Sequence, residues 1–99
     1  MEFKIIREKL SSRGGGIEID LTPFGFEGEK MSAYQNYLGG GMLGSIAVND
    51  TLRRETKRDE VSDDDNSILD GIGEELKKHF ADKMGIDYEE HQSRPISAY

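Results

Sequence analysis

Gly39, Gly41 and Gly44 stand at the spacing G-x-G-x-x-G, with Gly40 between the first two. In a dinucleotide fold such glycines permit a tight turn and let backbone amides approach a pyrophosphate at a helix N-terminus. That chemistry needs a strand before the motif, a helix after it and an acidic ribose partner about twenty residues on. Here the helical pattern precedes the glycines and the segment after them reads as strand. What remains is a nest of backbone amides from Gly39, Gly40, Gly41 and Gly44, able to hold a small anion or nucleotide. The residues around the glycines suggest a different use. Tyr34, Tyr37, Leu38, Met42 and Leu43 cluster in a chain that is only 34% hydrophobic. Aromatic and methionine side chains are enriched at interface centres, so this segment is the leading candidate for a partner-binding surface. The plain alternative is that they fill the protein's own core.

Other groups with chemical potential are weaker. Asp63, Asp65, Ser67 and Glu74 fall at positions 1, 3, 5 and 12 of a calcium-loop spacing, but Ile68 stands where the sharp turn requires glycine. Their ordinary role is an acidic lead-in to a helix, where carboxylates complement the positive end of the dipole. His79 and His91 are far apart and Cys is absent, so no zinc spacing exists. Serines and carboxylates are numerous, yet none sits in a nucleophile elbow or beside a histidine in a recognisable pattern. The expectation is a protein without enzymatic activity, metal or cofactor. Arg53, Arg54, Lys57 and Arg58 would share a face if helical, and with Tyr34 and Tyr37 would outline a single-strand nucleic-acid site. Glu55, Asp59 and Glu60 dilute that patch.

The elements that position these residues follow from periodicity. Phe3 to Leu10 reads as a strand, and Ile17, Ile19 and Leu21 alternate with Glu18 and Asp20, as in a second strand. Ser11 to Gly16 joins them into a β-hairpin. Phe24 and Phe26 fold back onto it. Met31, Tyr34 and Leu38 at i, i+3 and i+7 predict a short middle helix stopped at Gly39, with a strand over 32–38 as the competing reading. Ile46–Val48 and Thr51–Arg53, flanking Asn49-Asp50, supply one or two further short strands. Ile68, Ile72, Leu76, Phe80 and Met84 repeat every four residues, with Leu69 beside them, and predict a C-terminal helix ending at Gly85.

These elements give an α+β fold: an N-terminal hairpin extended to a small antiparallel sheet of three or four strands, a middle helix, and an amphipathic C-terminal helix packed on the sheet. The domain is expected over 1–86, with 53–66 a polar mobile loop and 87–99 a flexible tail. The expected core is Phe3, Ile5, Ile17, Ile19, Leu21, Ile46, Val48, Ile72, Leu76 and Phe80.

Charge and composition bound the function. The net charge is −7, and residues 63–99 carry −6 of it. Phosphate recognition relies on Lys and Arg, so nucleic acid is a disfavoured partner. The acidic third could instead imitate nucleic acid and bind a basic protein. No apolar run is long enough for a membrane span, and the N-terminus lacks a signal-peptide core, reading as mature structure from the first residue. Absence of Cys favours a reducing compartment such as the cytoplasm. The leading expectation is a small interaction module with a protein partner, with a homodimer as one way to reinforce a thin core.

Overall fold

Ile17, Ile19 and Leu21 are all buried, and the strand that carries them has one apolar face and one polar face. A sheet built on such a strand needs a cover on one side only. A computed structural model of the protein describes residues 2–11, 14–39, 42–55 and 60–85; the side chains of 36–39, 42, 43 and 55 lie outside that description. The predicted hairpin is present as β1 (Lys4–Ser11) and β2 (Gly14–Asp20). They pair antiparallel from Lys4↔Asp20 to Ser11↔Gly14, with a bulge between Ile5 and Arg7. The Ser11 hydroxyl donates to the Gly14 carbonyl at 2.7 Å across the turn.

The middle segment corrects one expectation. Residues 30–39 form strand β3 (Lys30–Gly39), not a helix. Met31, Ala33 and Gln35 are buried while Ser32 and Tyr34 are only partly so, a period of two. β2 bonds one edge of β3 along Gly14↔Asn36 to Asp20↔Lys30, and strand β5 (Ala47–Asp50) bonds the other along Met31↔Asp50 to Tyr34↔Ala47. With partners for its backbone on both edges, the segment is extended despite its helix-like spacing. Beyond β5, the two-residue β4 (Met42–Leu43) folds back on the far end of β3 through Tyr37↔Leu43 and Gly39↔Met42. Gly39 therefore ends a strand, and the glycine segment joins two antiparallel strands. Gly40 and Gly41 lie outside the described residues.

The short helix exists at a different place. Thr51–Glu55, whose first residues were expected as a strand, is helix α1. The Asp50 carboxylate accepts the Arg53 backbone N–H at 2.8 Å and so caps the first turn. The Thr51 hydroxyl donates to Glu29 and accepts the Lys30 N–H at 2.9 Å, which ties α1 to the start of β3.

Helix α2 (Asp63–Met84) begins where the polar loop was expected to continue. Ser62 caps it by accepting the Asp65 N–H at 3.1 Å, and three aspartates fill the first turn. The expected 53–66 loop thus contributes the end of α1 and the first turn of α2; its residues 56–59 lie outside the description, as does the expected tail at 87–99. Gly85 ends α2 in the left-handed region at φ 72°, with its N–H on Ala81 and Asp82 carbonyls.

The architecture is α+β: an antiparallel sheet four strands wide in the order β1-β2-β3-β5, extended by β4, with the short helix α1 and with α2 packed across one face. Leu69, Ile72, Leu76, Phe80 and Ala81 of α2 close the core over Ile17, Ile19, Met31 and Ala33. Gly73 lies against β5, where an added Cβ would stand 3.3 Å from Val48 Cγ1. Phe26 is buried and Phe24 packs on Phe3 at 6.3 Å between rings. One expected core position, Ile5, and one member of the helical repeat, Ile68, stay exposed. Ile68 is 46% exposed, because a four-residue repeat drifts by about 40° per step around the helix and its end leaves the buried stripe. Ile5 is 41% exposed because β1 is an edge strand reached by little of α2.

Candidate functional site

Among the described residues, α2 covers one face of the sheet and nothing covers the other, and strand alternation decides what that face displays. Since Ile17, Ile19, Met31 and Ala33 point to the helix, their neighbours Gly16, Glu18, Asp20, Ser32 and Tyr34 point away. Cross-strand register arranges them in rows. Lys9, Gly16, Tyr34 and Ala47 align in one row, and Arg7, Glu18, Ser32 and Asn49 in the next. Between the rows lies a shallow groove of about 220 Å³, lined by Arg7, Lys9, Gly16, Glu18, Ser32 and Tyr34.

Gly16 makes the groove. A Cβ there would lie 3.2 Å from the Ala33 carbonyl oxygen and 3.4 Å from Tyr34 Cβ. A side chain at this position would fill the space beside the tyrosine ring. Its neighbour Gly15 faces the helix side, where an added Cβ would meet the Lys9 carbonyl oxygen at 2.2 Å, so close approach of β1 requires glycine.

The electrostatics of the face are uneven. Lys4 pairs with Asp20 at 3.5 Å at one end. The Asp20 carboxyl is held below its ordinary pKa, chiefly by the Thr22 backbone N–H at 2.9 Å and the Thr22 hydroxyl, with Lys4 adding to the effect. Among the described residues, Arg7 and Lys9 make no ion pair. Two free cations therefore stand on the rim of a groove in an acidic protein.

Of the residues singled out from sequence, Tyr34 alone has a described side chain in this groove. Tyr37, Leu38, Met42 and Leu43 are brought together in backbone by the β3–β4 pairing, at the end of β3 beyond Tyr34. Gly44 has a structural role: its carbonyl accepts Nε2 of the buried Gln35 at 2.6 Å, which anchors the return of the hairpin. A strand precedes the glycines and a strand follows them, so the helix N-terminus of a phosphate cradle is missing next to them.

The other candidates disperse. Asp63, Asp65, Ser67 and Glu74 all lie along the rod of α2 instead of around a loop. Among the described residues no group of three His, Cys, Asp or Glu side chains converges as metal ligands would. His79 packs edge-on to Phe3 at 5.5 Å, on the helix side of the sheet, and its Nε2 is buried without a hydrogen-bond partner among the described residues. Arg53 is committed to structure. Its Nε lies 2.7 Å from the buried Asp50 carboxylate and its Nη1 2.6 Å from Asp70, which links β5, α1 and α2. Burial alone pulls the Arg53 pKa down, but the hydrogen bonds and charges of Asp70 and Asp50 outweigh it and hold the pKa above the ordinary value. The basic patch thereby loses a member, and Lys57 and Arg58 lie outside the described residues.

Arg7, Lys9, Gly16, Glu18 and Ser32 were not singled out from sequence. Their signal was present as the outward positions opposite each apolar residue of the strands, but joining them required the register.

Comparison with family models, with curated proteins and with solved structures gives no match for this chain. Among the described residues no helix is long and apolar enough to cross a membrane.

Proposed function

We propose that the domain is a non-enzymatic interaction module that docks a protein partner on the bare face of its sheet. Tyr34 is the centre of this surface, and the backbone of the β3–β4 hairpin that carries Tyr37, Leu38, Met42 and Leu43 runs on from it. The observation that carries the reading is the groove at Tyr34: a partly exposed aromatic, opened by Gly16 and flanked by two cations that make no ion pair among the described residues. A tyrosine offers a large contact area at small cost in conformational entropy, and unpaired rim charges steer a partner without being desolvated first. The non-enzymatic part of the reading draws on the groove's membership. It holds one carboxylate, Glu18, and the hydroxyls of Ser32 and Tyr34, while the nearest described imidazole, His79, belongs to the opposite layer.

The test is site-directed photo-crosslinking in the native host. A photoreactive phenylalanine replaces Tyr34 in one variant and Lys78, on the exposed side of α2, in a second. A partner captured from position 34 and absent from position 78 supports the proposal. Equal capture from both positions, or capture from position 78 alone, refutes it.

A further inference from the structure

We infer that the partner, or the part of it that engages this domain, is an extended acidic segment that adds as a strand to the free edge of β1. This rests on the interaction reading above and names the chemistry of its occupant. Three observations converge on the strand. β1 bonds β2 along one edge, and among the described residues nothing bonds the other, so alternate residues of this eight-residue strand present their N–H and C=O groups outward. Ile5 and Ile6, 41% and 45% exposed, are two of the three large hydrophobic residues left exposed in the described fold, and both lie on this edge. Arg7 and Lys9 occupy the outward face of the same strand, beside the groove, without ion pairs among the described residues.

A second copy of β1 does not fit this edge. Residues directly opposite in an antiparallel pair lie on the same face of a sheet. A two-fold axis at Glu8 sets Arg7 against Lys9 of the copy, and an axis at Arg7 sets that residue against itself. Like charges opposed across strands are destabilising. The same charges accept a strand whose outward positions are carboxylates, so one pair of cations both rejects the copy and selects the partner. On the helix side the neighbours are Ile5, Glu8 and Leu10, and the two apolar ones at the ends favour apolar residues at the alternate positions beside them. The occupant is therefore a segment that alternates acidic and apolar residues over about the length of β1, bound by strand addition.

The probe is an eight-residue peptide alternating glutamate and valine, titrated into the full chain and followed by backbone amide NMR. The expected result is slowed exchange and shifted amides along residues 4–11, weakened by added salt and reduced about tenfold in affinity in Arg7→Glu/Lys9→Glu. If that variant does not fold, the salt titration of the native chain carries the discrimination. A matching lysine and valine peptide is expected to leave these amides unmoved. The inference is overturned if β1 is silent at millimolar glutamate–valine peptide. It is equally overturned if the lysine–valine peptide, a short oligothymidylate or self-association of the chain gives the same β1 response. Silence of β1 with selective crosslinking from position 34 removes strand addition alone; loss of both removes the interaction reading as well.

Discussion

Replacing Arg53 with alanine tests whether the fold is held by a polar latch as well as by its core. Asp50 is 3% exposed in its side chain, and Arg53 Nε meets its Oδ2 at 2.7 Å. Removing one partner of a buried ion pair typically costs about 3–5 kcal/mol, because the other charge is left unpaired. Asp50 keeps one donor in the variant, the backbone N–H of residue 53 at 2.8 Å, which lowers that figure. The bond to Asp70 adds little, since that carboxylate is half exposed and surface pairs contribute about 0–1 kcal/mol. The balance is a loss of about 2–3 kcal/mol, close to the value of one charge-assisted hydrogen bond in a buried setting. In a domain of this size that lowers the melting temperature by roughly 10–20 °C. Urea denaturation read by circular dichroism measures it. The double variant Asp50→Asn/Arg53→Met keeps an N-cap acceptor while removing both charges, and is expected to be more stable than Arg53→Met alone. An Arg53→Ala variant within 0.5 kcal/mol of the native protein, or a double variant no more stable than Arg53→Met, would falsify the latch.

Three further outcomes are expected. Gly71 faces open space on α2 whereas a Cβ on Gly73 would press on Val48 Cγ1 at 3.3 Å, so Gly71→Ala stabilises by about 0.5–1 kcal/mol and Gly73→Ala gains less or loses, as thermal melts of the two variants will show. The lowered pKa of Asp20 makes its contribution to stability present above the unfolded carboxylate value and lost as pH falls through the folded one; melts between about pH 5 and pH 2 should be steeper in the native protein than in Asp20→Asn, and parallel curves would contradict this. His79 buries an unpartnered Nε2 against Phe3, so His79→Leu should match or exceed native stability, by up to about 1 kcal/mol, and a loss greater than that would show a bond made by the ring.

The hairpin and the last helix were legible because each carries its own evidence. Ile17, Ile19 and Leu21 alternate with charges, and Gly85 with a preceding apolar stripe marks a helix end whatever lies around it. The middle of the chain was misread for a specific reason. Met31, Tyr34 and Leu38 match a helical stripe only if Ala33 and Gln35 are ignored, and these two small or polar residues are the ones buried beside Met31. Ala33 fits under α2 because it is small, and Gln35 is tied to the hairpin end by its Nε2, which donates to the Gly44 carbonyl. Neither advertises burial by its type. Likewise Asp50 and Thr51 look like turn residues, and they become a helix start only through bonds to Arg53, Glu29 and Lys30.

The candidate site was harder still, because it is a product of register. Arg7 and Tyr34 are separated by 26 intervening residues, and two strand pairings must both be correct to bring them to one groove. The core supplies that correctness. A slip of one residue between β2 and β3 would turn Ile17 or Ala33 away from α2 and bring Glu18 or Tyr34 under it. The burial that holds Ile17, Ile19, Met31 and Ala33 beneath Leu76 and Phe80 thus fixes which side chains face outward. Gly16 then decides whether that outward face is flat or grooved. The bare face is specified by the covered one, so substitutions in the core that shift the pairing would abolish the groove without touching any residue that lines it.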